Sequence, residues 1–151
     1  MILELLKNKP YFLLLLAAIS FLILSFMGNK NEKLDINIHD TYYIISRQHS
    51  FILLCLIFLT TGLFYFVFDF FKVQFVSILS LVHVYGSLIF IGLFFYYLHK
   101  INSIEGFQLF DSIDYNFRLF FSIVIFAVLQ LIFILNLIIS TIKKLLYSTP
   151  Q

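Results

Sequence analysis

The sequence predicts an all-α integral membrane protein with four transmembrane helices in an antiparallel bundle, and three observations lead there. The chain has 151 residues, 62% of them hydrophobic and only 12% charged. Soluble domains are roughly 45–50% apolar and about 25% charged, so a soluble fold of this size could not hide so much apolar surface. The apolar residues also gather into four runs long enough to cross a bilayer, and the mean hydropathy is +1.01. Finally, none of these runs alternates polar with apolar residues, as a membrane β-barrel would. In lipid every backbone group must be paired within the segment, so the runs are helices.

The first run is Tyr11 to Met27, YFLLLLAAISFLILSFM. It sits at the short end of the about 17–25 residues that a span requires. Lys7 and Lys9 ahead of it would suit a signal peptide, but the exit SFMGNKNEK holds no clear small-residue cleavage site. The run therefore reads as an uncleaved first span. A polar stretch follows at residues 34–49. The second span covers about Ser50 to Phe68, the third about Val73 to Leu98, and the fourth about Leu119 to Ile142. The loop before the fourth, INSIEGFQLFDSIDYNF, alternates aromatics with acids. It suits the membrane surface, although its acids oppose tight binding to anionic lipid. The sequence reads as one membrane domain, with no internal repeat and no GxxxG pair to mark a close helix contact.

Charge gives weak guidance. Lys7, Lys9, Lys72, Lys143 and Lys144 fall on one side, and Lys30, Lys33, Arg47, Lys100 and Arg118 on the other. Five against five leaves the positive-inside rule undecided. The acids lie mostly in the first and third loops, which favours both termini on the cytoplasmic side. A net charge of +2 points to no nucleic-acid partner. The single cysteine, Cys55, lies within an apolar run and is expected to pack as a small hydrophobe.

Several polar residues fall inside spans. His83 is costly in lipid and therefore suggests function. It could equally hold helices together with Ser80, Tyr85 or Ser87. Gln130 and Asn136 are six residues apart, so they are expected on different helix faces, each forming interhelical hydrogen bonds. Asp69 and Lys72 have the spacing of a solvated (i, i+3) pair at a helix end.

The polar stretch reads LDINIHDTYYIISRQHSFILL. Asp35, His39, Asp40, Thr41, Tyr42 and Tyr43 match, in order and spacing, the signature that precedes the tenth helix of the heme–copper oxidase catalytic subunit, cytochrome c oxidase subunit I. Beyond residues 34–49 the likeness is only one of kind, an apolar helix followed by a short turn and two more helices. The chain thus resembles the last four of that subunit's twelve helices. The resemblance implies a magnesium ion held by His39 and Asp40, with Asp35, Thr41, Tyr42 and Tyr43 supporting the loop. It also implies that His49 stands where the low-spin heme takes an axial ligand. The matching position for the high-spin heme ligand is Arg47, and a guanidinium has no lone pair for iron. The copper-binding histidines belong to helices outside this stretch of the family, so the resemblance does not lead us to expect oxygen reduction by this chain alone. His83 is expected about 15 Å from His49 in depth, too far to share one iron. His99 is nearer in depth but interfacial. Without the resemblance, HDTYY would read as an interfacial loop in an aromatic belt.

The expected function is that of a non-catalytic subunit-I-like component of a respiratory or other membrane complex, in contact with lipid and with other membrane subunits or further copies of itself. One alternative is an electron-transfer protein whose His49 binds heme together with a second chain. Another is a membrane scaffold or oxidase assembly factor. The expected location is a bacterial inner membrane, or else a mitochondrial one.

Overall fold

The computed structural model describes residues 9–27, 33–38, 41–103 and 115–147. Four helices carry most of the chain: α1 is Phe12–Met27, α2 Arg47–Phe70, α3 Ser77–Ser103 and α4 Tyr115–Tyr147. Helices α2, α3 and α4 are long and apolar enough to cross a membrane. With 16 residues, α1 rises only about 24 Å at 1.5 Å per residue, less than the hydrocarbon core of about 30 Å. Three helices therefore have spanning length, where the sequence led us to expect four.

Between α1 and α2 the expected signature loop contains a two-stranded antiparallel hairpin, β1 (Lys33–Ile38) and β2 (Thr41–Ser46). The all-α reading needs this amendment. Leu34, Ile36 and Ile38 alternate with polar residues at the period of a strand. The register pairs Leu34 with Ile45, Ile36 with Tyr43 and Ile38 with Thr41. Leu34 and Ile36 are buried against Leu98 of α3 and Leu119 of α4, which seats the hairpin on one end of that helix pair.

The helices associate as two close pairs, α1 with α2 and α3 with α4. Glycine permits the close approach in each. A Cβ on Gly62 would lie 2.7 Å from Leu15 Cδ2 of α1, and one on Gly86 would lie 2.9 Å from Leu129 Cδ2 of α4. Between the pairs lies a thicker aromatic seam. Phe51 meets Phe95 at 5.4 Å between ring centroids, Phe58 meets Phe126 at 6.0 Å and Tyr65 meets Phe133 at 5.1 Å. Cys55 is buried in this core, as expected.

The α2–α3 connection explains why α3 starts at Ser77 rather than near Val73. Lys72 adopts φ 55°, in the left-handed region. Its N–H donates to the Asp69 carbonyl at 2.9 Å, and the Val73 N–H donates to the Phe68 carbonyl at 2.9 Å. Together these bonds form a Schellman C-cap, which usually places glycine where Lys72 stands.

Polarity is inverted relative to a soluble protein. Ser25, Thr61, Ser80, His83, Ser87, Ser122, Asn136 and Ser140 are buried, while leucine, isoleucine and phenylalanine cover much of the outside. Serine and threonine hydroxyls mostly return to their own helix, as when Thr61 Oγ1 donates to the Ile57 carbonyl at 2.9 Å. The exposed apolar faces suit a lipid environment.

Candidate functional site

Three regions carry polar chemistry: the hairpin end, the helix core and a cleft at the opposite end. At the hairpin end, Asp35 lies in β1 opposite Ile44, and Tyr42 lies in β2 opposite Asn37. Thr41 and Tyr43 are exposed on β2. His39 and Asp40, the expected magnesium ligands, lie outside the described residues. Among the described residues, no three His, Cys, Asp or Glu side chains gather closely enough to hold a metal.

Helix α2 begins directly after β2. Arg47 is its first residue, with the guanidinium carbon 5.5 Å from the centroid of the Phe51 ring. His49 is exposed in the same first turn, and His99 is exposed near the end of α3. Residues two apart on a helix point in different directions, so Arg47 and His49 do not converge. His83 is no substitute ligand. It contacts Tyr65, sixteen residues beyond His49 on α2, which is about 24 Å along the axis. The expected separation of about 15 Å was too small because α3 begins four residues later than the hydropathy suggested. Arg47, at the position matching the high-spin ligand, has no lone pair for iron, and His83 lies too far from His49 to share one iron with it.

In the core, His83 is 1% exposed and Tyr65 is 2% exposed. Tyr65 Oη lies 3.3 Å from His83 Nδ1, and His83 Nε2 lies 3.4 Å from Gln130 Oε1. The amide oxygen can only accept, so Nε2 carries the proton and Nδ1 accepts from the tyrosine. Gln130 Nε2 then donates to Ser87 Oγ at 3.3 Å. These bonds are long, and ring packing holds the cluster as well: His83 stacks on Phe133 at 5.0 Å, and Phe75 meets Tyr65 edge-on at 4.7 Å.

A second set lies nearer the α2–α3 turn. Asn136 Nδ2 donates to Ser80 Oγ at 2.9 Å, and Asn136 Oδ1 accepts from the Val76 N–H at 3.1 Å and from Ser140 Oγ at 3.4 Å. Gln130 and Asn136 both reach α3 and its lead-in, which corrects the expectation of different faces. Six residues turn a helix by 600°, leaving the two positions about 120° apart. The long glutamine side chain spans that angle, so one broad interface receives both. Their interhelical role is as expected.

At the far end a cleft of about 570 Å³ opens between the start of α1, the end of α2 and the start of α3. Lys9 Nζ lies 2.6 Å from Asp69 Oδ2, and Tyr11 Oη donates to the same oxygen at 2.8 Å. The hydrogen bond to Asp69 raises the pKa of Lys9 above its ordinary value, so Lys9 is charged at neutral pH. Asp69 thus has Lys9 as its ion partner, not Lys72 as the spacing suggested. The left-handed backbone at Lys72 breaks the helical geometry that an (i, i+3) pair needs. Lys144 Nζ donates to the Phe71 carbonyl at 2.7 Å, bringing the end of α4 to the same face.

Sequence reasoning did not single out Lys9, Tyr11, Tyr65 or the backbone of Lys72. A legible signal was the stripe Ser80, His83 and Ser87, at the i, i+3, i+7 spacing of one helix face. Comparison with models of protein families, with curated proteins and with solved structures finds no match.

Proposed function

We propose that this chain is a non-catalytic component of a membrane assembly, related to the last third of the heme–copper oxidase catalytic subunit and working beside other membrane chains. The observation that carries this reading is the unit formed by residues 33–49, in which a hairpin bearing the signature residues opens directly into a helix whose first turn holds Arg47 and His49. Arginine at the high-spin position removes the reaction centre. The hairpin, docked on α3 and α4 through Leu34 and Ile36, remains as a structural element. We further propose that α1 crosses the membrane as a fourth, short span beside α2, with local thinning of the bilayer covering its deficit. Both termini then lie on the cytoplasmic side, where Lys9, Lys72 and Lys144 cluster, in a bacterial inner membrane.

Extraction in mild detergent from the native host, followed by identification of the bound chains and an absorbance spectrum, tests the reading. The expected result is co-purification with larger membrane subunits. A chain recovered alone and monomeric at every detergent concentration would refute it.

A second reading, heme binding at a subunit interface, is favoured by the exposure of His49 in the first turn of α2, where a second chain could supply the other axial ligand. It predicts a Soret band that His49→Ala removes. A colourless protein after expression with heme supplied rejects it.

A further inference from the structure

We infer that the cleft between the start of α1, the end of α2 and the start of α3 holds the phosphate headgroup of an anionic membrane lipid, with Lys72 as its principal cation. The inference is independent of any relation to the oxidase family.

The cleft has the right size and polarity. Its volume of about 570 Å³ falls within the roughly 300–1,000 Å³ of small-molecule sites. Of the lining residues, Lys72 and Gln74 lie in the α2–α3 connection and Ser77 starts α3, whereas Leu81 and Val84 lie one and two turns into that helix. Val84 lies seven residues into α3, about 10 Å of rise, so the polar-to-apolar change runs from the helix ends into the span. A phospholipid presents the same order, headgroup first and acyl chain after.

The charge at this end is cationic. Among the described residues, Lys9, Lys72, Lys143 and Lys144 lie here against the single carboxylate of Asp69. Asp69 would repel a phosphate, but Lys9 neutralises it at 2.6 Å. Lys144 is engaged with the Phe71 carbonyl. Lys72 is thus the lining cation whose charge no described carboxylate offsets. Basic pockets between spanning helices commonly take anionic headgroups.

The backbone supplies an independent observation. Lys72 occupies the left-handed C-cap position at φ 55°, where glycine has no steric penalty. A side chain kept at a strained backbone position points to a function for that side chain, and Lys72 is among the residues that line the cleft.

The same feature provides a clean test, since Lys72→Gly removes the cation while easing the backbone. Purified protein is placed in nanodiscs of phosphatidylcholine with phosphatidylglycerol, extracted gently and analysed for retained lipid by native mass spectrometry. Wild type is expected to retain phosphatidylglycerol selectively. Lys72→Gly and Lys72→Gln should each lower that retention about fivefold, the effect of one lysine near an anionic headgroup. Lys143→Gln, an equal loss of charge outside the cleft lining, should leave it unchanged. Equal losses in Lys72→Gly and Lys143→Gln would reduce the effect to bulk electrostatics and overturn the inference, as would unselective retention by wild type or full retention by both Lys72 variants. Displacement of the lipid by millimolar inorganic phosphate would show a site for a free anion and overturn the lipid assignment.

Discussion

Asn136 offers the sharpest test of how the core is held. It is fully buried, and three hydrogen bonds converge on it. Two of them leave α4: one to Ser80 of α3 at 2.9 Å and one to the Val76 N–H in its lead-in at 3.1 Å. Interhelical hydrogen bonds in membranes average about 0.6 kcal/mol and reach about 1.7 kcal/mol. Asn136→Ala removes both and also strands the Val76 N–H, and an unsatisfied buried donor costs about 1–3 kcal/mol. The expected destabilisation is therefore about 2–4 kcal/mol. Ser80→Ala removes one of the two bonds and leaves Val76 satisfied but strands the buried Asn136 Nδ2 donor, so it should cost about 1–3 kcal/mol. Reversible unfolding by sodium dodecyl sulfate in mixed micelles, applied to both single variants and the double variant, isolates the Asn136–Ser80 term. A coupling of about 0.6–1.7 kcal/mol is expected. A coupling within about 0.2 kcal/mol of zero would mean that the Asn136–Ser80 contact is incidental to the joining of α3 and α4.

Other perturbations separate the remaining parts of the structure. Gly62→Val should push α1 off α2 and cost about 1–3 kcal/mol through overpacking, with Leu15→Ala partly restoring stability. Failure of that rescue would exonerate the Gly62–Leu15 contact. Tyr65→Phe keeps the ring contacts with Phe75 and Phe133 and loses only the bond to His83, for about 1 kcal/mol. Tyr65→Ala loses the ring as well, for about 3–5 kcal/mol. Similar values in the same unfolding assay would contradict this division. Replacing both Leu34 and Ile36 by serine should release the hairpin, seen as faster hydrogen exchange across residues 33–46 with α2–α4 unchanged. Lys9 has a raised pKa, so its contribution is complete below its unfolded value near 10.5 and is lost only as pH rises through the higher folded value. Wild type and Lys9→Gln should therefore show parallel pH profiles of stability between about pH 6 and 9; diverging profiles would refute the assignment.

What the sequence revealed follows from which forces act locally. Hydropathy located the apolar helices because lipid burial depends on composition over a long window, and it placed α2 most closely, whereas α4 extends beyond the apolar run at both ends. It misplaced the start of α3, because the Schellman cap at Lys72 lacks the glycine that would have marked it. The hairpin escaped hydropathy even though Leu34, Ile36 and Ile38 carry a strand's period, because so short an alternation is stabilised by docking on Leu98 and Leu119, which are distant in sequence. The buried Asn136 and Gln130 were legible as interhelical donors. Ser80 and Ser87 were legible beside His83 as one helix face, but which of them each amide meets, and the part played by Tyr65, depend on how the helices pack. The Lys9–Asp69 contact joins residues sixty apart, and no spacing rule anticipates it.

These differences also bear on where chemistry can occur. Both nitrogens of His83, and both the oxygen and the nitrogen of the Asn136 amide, are engaged by neighbouring groups within the bundle. The middle of the bundle therefore spends its polar groups on holding α2, α3 and α4 together, and a cofactor entering there would have to break bonds that the fold uses. Accessible polar groups remain at the two ends: His49 beside the hairpin, and Lys72 beside the cleft. They are separated by most of the length of α2 and share no side chain. The core's hydrogen bonds thus do not depend on what binds at either end. It follows that His49→Ala and Lys72→Gly should act independently. The first should change only what binds at the hairpin end, and the second only what the cleft retains. A double variant whose effects on lipid retention and partner binding depart from the sum of the singles would show that the two ends communicate through the helices, against the closed network described above.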